Sequence, residues 1–290
     1  MGARLWLWSV IVAAIGSIAA FASDAPPLVS RSLPPTAATD LIHPSQNHPP
    51  PGPDTPMLGA RMDNPALTAR TIVERATVAA GGESWRRPTT LYLEGYGTFY
   101  AGDGTALINE RHRMWRVYPP IKPDAHNADG KVRIESVRSG QVVTYTAFDG
   151  RRTYGLNGVL PPSAADTQWA ENFGFGVIRF ALDDGYSVTR QPDDLVDAQP
   201  VYRIEVSDAK GGKTLFGIAR SSYQILSVGF STPRGWHERI YSDFFSKQGV
   251  SWVQPGRVRL YYNGIKQNEI VWRDFQVNAP LQDGLFGPRE

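Results

Sequence analysis

The chain is 290 residues long, carries 30 Lys and Arg against 28 Asp and Glu, and has no cysteine. The missing cysteines exclude disulfides, thiolate chemistry and a lipid anchor on an N-terminal cysteine. A formal charge of +2 gives no basis for gripping nucleic acid or anionic lipid by net charge, and the length admits one large β domain or two modest ones.

The N-terminus reads as an export signal. Arg4 supplies a short positive region, Leu5 to Ala20 is nearly unbroken apolar sequence, and Ala20-Phe21-Ala22 offers small residues where a signal peptidase reads. Cleavage before Ser23 makes residues 1–22 a signal peptide and places the protein in the periplasm or outside the cell. The alternative is an uncleaved inner-membrane anchor, since Leu5 to Ala22 is 18 residues, near the lower limit for a span.

Residues 23–60 hold ten of the 23 prolines. No apolar period survives there, and the segment reads as a Pro-rich disordered linker, either an extended tether or a disordered start. His43 and His48 fall in it as solvated side chains.

The folded body spans 61–290 and begins with a helix. Asn64 is placed to cap it and Pro65 suits its first turn. Leu67, Ile72, Val73, Ala76 and Ala80 share a face, and Gly81-Gly82 stops it. Strands then dominate. In TLYLEGYGTFY (90–100), Leu91, Leu93 and Gly95 point one way and Tyr92, Glu94 and Tyr96 the other. ALINERHRMWRVYP, KVRIESV, QVVTYTAF and RRTYGL follow between tight turns, as in an antiparallel meander. Pro161-Pro162 interrupts it, and the capping-box spacing of Ser163 and Asp166 predicts a helix through Trp169 and Phe173. Strands resume near Tyr186 and end in a hairpin at Asn263-Gly264. The pattern gives roughly ten strands and a few helices, and a sheet that large tends to curl. The expected fold is mainly β with helices: a large curved antiparallel sheet, or half-barrel, with helices covering its concave side.

No HExxH, GxSxG or phosphate-binding glycine-lysine loop is present. His112 can pair with Glu110 along one strand face. His126, between Asp124 and Asp129, reads as part of a solvated loop. His237 and Glu238 are strand neighbours that point to opposite faces. Asp183-Asp184 and Asp193-Asp194 read as turn residues. No cofactor or metal is called for. The aromatic inventory is richer, and arginine sits beside it in Arg113-Met114-Trp115-Arg116 and Trp272-Arg273. An apolar cavity with a polar mouth combines those features, and Trp115, Trp169, Phe173 and Trp272 are the candidate cavity or rim residues.

AAGGESW (79–85) leading into TLYLEGYGT (90–98), VYRIEVSDAKGGKTLFGIARSSYQILSVGF (201–230), and RLYYNGIKQNEIVWRDFQVNAPLQDGLFGP (259–288) resemble the envelope lipoprotein-sorting and lipoprotein-carrier-like superfamily. The resemblance implies a concave sheet under a helix and, in the better-known relatives, an apolar interior that binds acyl chains of lipoproteins or other lipids. The chain departs from that pattern in its long Pro-rich segment and in lacking the cysteine of the receptor-type lipoprotein. The resulting expectation is a noncatalytic exported domain of the bacterial envelope holding a lipid, an acyl chain or an acylated protein. The alternatives are a tethered structural or protein-interaction module with an envelope partner, and a noncanonical hydrolase.

Overall fold

The computed structural model describes residues 62 and 64–289, apart from 102, 123, 127, 162–173, 233 and 283. The expected signal peptide, the Pro-rich linker and the helix through Trp169 and Phe173 lie outside the described residues. Among the described residues no helix is long and apolar enough to cross a membrane.

The first meander comprises β1 (Thr90–Tyr100), β2 (Ala106–Val117), β3 (Lys131–Arg138), β4 (Gln141–Phe148), β5 (Thr153–Gly155) and β6 (Gly158–Val159). The second comprises β7 (Tyr186–Val196), β8 (Gln199–Asp208), β9 (Lys213–Ala219), β10 (Ile225–Thr232), β11 (Gly235–Ser242), β14 (Arg257–Tyr262) and β15 (Ile265–Val277). A two-stranded ribbon, β12 (Phe245–Ser246) with β13 (Val253–Gln254), is inserted between β11 and β14. Each meander pairs its strands in sequence order. A single seam, β1 against β15, joins them into one 13-stranded antiparallel sheet.

The alternation read from the sequence decides which side chains are inside. Leu91 and Leu93 of β1, Tyr202, Ile204 and Val206 of β8, Phe216 and Ile218 of β9, Val228 and Phe230 of β10, and Ile270, Trp272 and Phe275 of β15 share one apolar cluster. The helix α1 (Ala69–Ala80) lays Ile72, Val73 and Ala76 into that cluster. Removing its stripe from water stabilises the layer at about 25 cal/mol per Å² of apolar surface. The helix starts later than expected. Thr68 caps it by accepting the Thr71 N–H at 3.2 Å, while Asn64 sits in a preceding turn with φ +49°. The stop is as expected: Gly81, at φ +130°, lets its N–H and that of Gly82 turn back to the last helical carbonyls. A helical turn, α2 (Glu83–Arg86), and a 3₁₀ helix at Gly174–Phe180 complete the covering layer.

Two excursions fold back on the sheet, and the first ties the two meanders together. The β2–β3 loop reaches the far strands: the Ala125 N–H donates to Asp208 Oδ2 at 2.8 Å, and Tyr186 Oη donates to the Lys122 carbonyl at 2.5 Å. The β7–β8 tip folds over the outer face, where Asp197 meets Arg259 of β14. A bulge at Gln191–Asp194 bends β7 for this purpose. Beneath the tip, Val196, Val201, Ala219, Leu226, Ile240 and Tyr261 form a second small core.

Candidate functional site

Three proline-marked or helical ends converge at the rim of the covering layer. Arg86 and Arg87 finish α2 and run into Pro88. Tyr118, Pro119 and Pro120 leave β2. Arg179 and Phe180 close the 3₁₀ helix. Together with Thr89 they line a cleft of about 260 Å³. Its Tyr118 wall packs against the main apolar cluster, to which Trp85 and Trp252, two of the rings beneath Arg179, belong.

The cleft is rich in guanidinium. Arg86 Nη2 donates to Asp183 Oδ1 at 2.7 Å, and Arg87 Nη2 donates to both Asp183 oxygens at 2.5 Å. Burial alone would raise the Asp183 carboxyl, but the hydrogen bonds from Arg87 and Arg86 outweigh it and hold its pKa below the ordinary value. Arg86 Nε and Arg87 Nη1 are buried and meet no acceptor among the described residues. Arg179 lies over three rings, with its guanidinium carbon 4.5 Å from the Trp85 centroid, 4.8 Å from Trp252 and 5.0 Å from Tyr118. It donates to the Trp85 carbonyl. No described carboxylate forms an ion pair with it, and burial pushes its pKa below the usual arginine value.

Of the four aromatic candidates, the two that are described, Trp272 and Trp115, stand on opposite faces of the sheet. Trp272 is buried in the main cluster, 5.2 Å centroid to centroid from His112. Trp115 pairs with Tyr92, on the opposite side of β1 from Leu91 and Leu93, so it stands on the outer face. There it is held between Arg113 and Arg133, each 5.1 Å from its ring. Trp169 and Phe173 lie outside the described residues.

The titratable groups singled out in the sequence are structural. His112 does not pair with Glu110. A bulge in β2, between the partners of Gly95 and Gly97, breaks the alternation, so Glu110 accepts the Ser139 and Gly140 N–H groups outside while His112 turns inward to Ser136 Oγ at 2.7 Å. Burial lowers the His112 pKa to about 4. His126 is half-buried, not solvated: its Nε2 lies 3.0 Å from Thr214 Oγ1, and its ring stacks on Phe230 at 4.8 Å. His237 stacks on the same ring at 4.7 Å, and Arg239 Nε donates to its Nε2 at 3.1 Å, which leaves the proton on Nδ1 facing Tyr262 Oη. Asp193 and Asp194 belong to strand β7, where each pairs with an arginine, Arg190 and Arg203. Among the described residues no group of three or more His, Asp or Glu could hold a metal ion.

The arginine cleft escaped the sequence reading. Its only trace was the recurrence of arginine or tyrosine beside proline, in RRP (86–88) and YPP (118–120). Nothing local says that these segments meet Arg179, about 90 and 60 residues away in sequence.

No protein-family model matches the chain, and no curated protein matches it. Among solved structures it is similar to a LolA superfamily protein from Nitrosomonas europaea, at 14% identity over 76% of this chain and 97% of the other, with a TM-score of 0.47. It is also similar to a DUF1329 family protein from Desulfovibrio piger, at 12% identity over 76% and 97% of the two chains, with a TM-score of 0.46.

Proposed function

We propose that the protein is a noncatalytic binding domain of the bacterial envelope, exported by residues 1–22 and carried on the 23–60 linker, which holds a lipid or acyl chain between its sheet and the helical layer. The observation that carries this reading is the packing of the cleft's Tyr118 wall on the apolar interior that holds Trp85 and Trp252. The cleft volume of about 260 Å³ is below that of most ligand pockets, so an acyl chain enters by parting the covering layer from the sheet. Trp272 then belongs to the interior wall. Each methylene removed from water contributes about 0.8 kcal/mol.

A half-barrel curvature fits this reading, and the reach of the β2–β3 loop supports it. In a flat sheet of the observed order, β3 and β9 are seven spacings apart, about 33 Å. His126, which meets Thr214 of β9, is separated from the start of β3 by five residues, a span of at most about 18 Å.

The test is native mass spectrometry of mature protein purified gently from its own envelope fraction, followed by lipid extraction. A stoichiometric lipid or acylated protein released on denaturation supports the reading. Repeated recovery of empty protein that binds nothing in a lipid panel overturns it in favour of a tethered interaction module.

A further inference from the structure

The cleft holds more positive charge than its carboxylates answer. Arg86 and Arg87 share the single carboxylate of Asp183. Glu83, the other acid nearby, is 71% exposed and 3.8 Å from Arg86. Arg179 has aromatic faces and one carbonyl, and no described carboxylate. Two buried donors, Arg86 Nε and Arg87 Nη1, stand without an acceptor among the described residues. A buried N–H left unmet costs roughly 1–3 kcal/mol, and more on a charged group. Around them the walls are Pro88, Pro119, Pro120, Tyr118 and Phe180, rigid and apolar.

We propose that this cleft binds the anionic head of an amphiphile, a phosphate monoester or a carboxylate, with Arg87 and Arg86 donating from one side and Arg179 from the other. Guanidinium matches such heads in plane and in donor spacing. The aromatic rings hold Arg179 in place without neutralising it, which keeps its charge available to the ligand. The cleft is sized for a head group, and the tail passes over Tyr118 towards Trp85 and Trp252. This last point rests on the lipid reading above; the anion site does not.

The test is calorimetric titration of the mature full chain with three probes. They are dioctanoyl phosphatidic acid below its micelle-forming concentration, dioctanoylglycerol, which has the same tails and no charge, and inorganic phosphate. Each is repeated with Arg179→Met and Arg87→Gln. Arg87 is 31% exposed at its side chain and its replacement disturbs the interior less than Arg179→Met, and thermal melts establish that each variant is folded. The expected result is that phosphatidic acid binds more tightly than dioctanoylglycerol, that each variant weakens it by about 10- to 100-fold, and that dioctanoylglycerol is unaffected. Inorganic phosphate binding with the same losses, and no lipid binding, supports the anion site and overturns the lipid reading. Equal binding of both lipids in every form overturns the anion site and leaves the lipid reading standing. No binding of any probe overturns both.

Discussion

Arg203 and Asp194 form an ion pair on the outer face of the sheet, with Nη1 2.7 Å from Oδ2 and side chains only 5% and 10% exposed. The bulge in β7 brings the two together, and the β7–β8 tip closes over them. Removing Asp194 leaves Arg203 with the attraction of Glu238 alone, and removing Arg203 strands the Asp194 charge. Asp194→Ala is expected to cost about 3–5 kcal/mol, whereas replacing both with apolar residues of similar volume costs less. Urea unfolding of the two single variants and the double variant measures the difference.

The buried histidines make the fold acid-sensitive. Burial holds the His112 pKa at about 4 in the folded chain, against an ordinary histidine value of 6.5. Between those values the unfolded chain binds more protons, so stability rises with pH. The His112 contribution is full above pH 6.5, is lost as pH falls towards 4, and amounts to about 3 kcal/mol. Burial lowers His126 and His237 in the same direction. Denaturation curves at pH 7.5, 6 and 4.5 should show declining stability, with a shallower decline in His112→Phe.

Gly95 sits where both neighbours of β1 change register. A Cβ there would lie 1.9 Å from the Val271 carbonyl oxygen, a backbone atom. At Gly229 the same addition meets the Trp236 ring at 2.4 Å. Side chains give way more readily than a central strand, so Gly95→Ala is expected to exceed the 1–3 kcal/mol or so usual for overpacking, and Gly229→Ala to fall within it. Melting temperatures of the two variants order them.

The Asn263-Gly264 turn has φ +45° and +87°, and Asn263 Oδ1 accepts the Trp236 N–H at 2.8 Å. Asn263→Ala gives up both the tolerated left-handed backbone and that acceptor. A loss of about 1–2 kcal/mol is expected, measurable by thermal denaturation.

That hairpin was legible because its signal is local: two residues, flanked by alternating strands. The same holds for Leu91 and Leu93 facing the core and for His237 and Glu238 facing apart. The element β7 was harder. Pro192, Asp193 and Asp194 read as a turn, yet they lie inside an edge strand, where proline forfeits no ladder bond and a bulge absorbs the irregularity. The helix start was misplaced because Asn64 and Thr68 both suit a cap, and tertiary packing decides between them. The cleft was invisible for a different reason. Arg86, Arg87 and Arg179 acquire a common purpose only through the sheet that brings their segments together.

The seam between β1 and β15 carries a consequence for how the molecule is made. As the chain emerges from N- to C-terminus, the first meander can form, and then the second, each from neighbouring strands. Until the final strand arrives, β1 and β14 both present open edges at what will become the centre of the sheet, and open edges invite pairing with other chains. The last thirteen residues of strand, Ile265–Val277, act as the closing piece of a zip. A chain cut short before them would keep most of its secondary structure and lose its solubility.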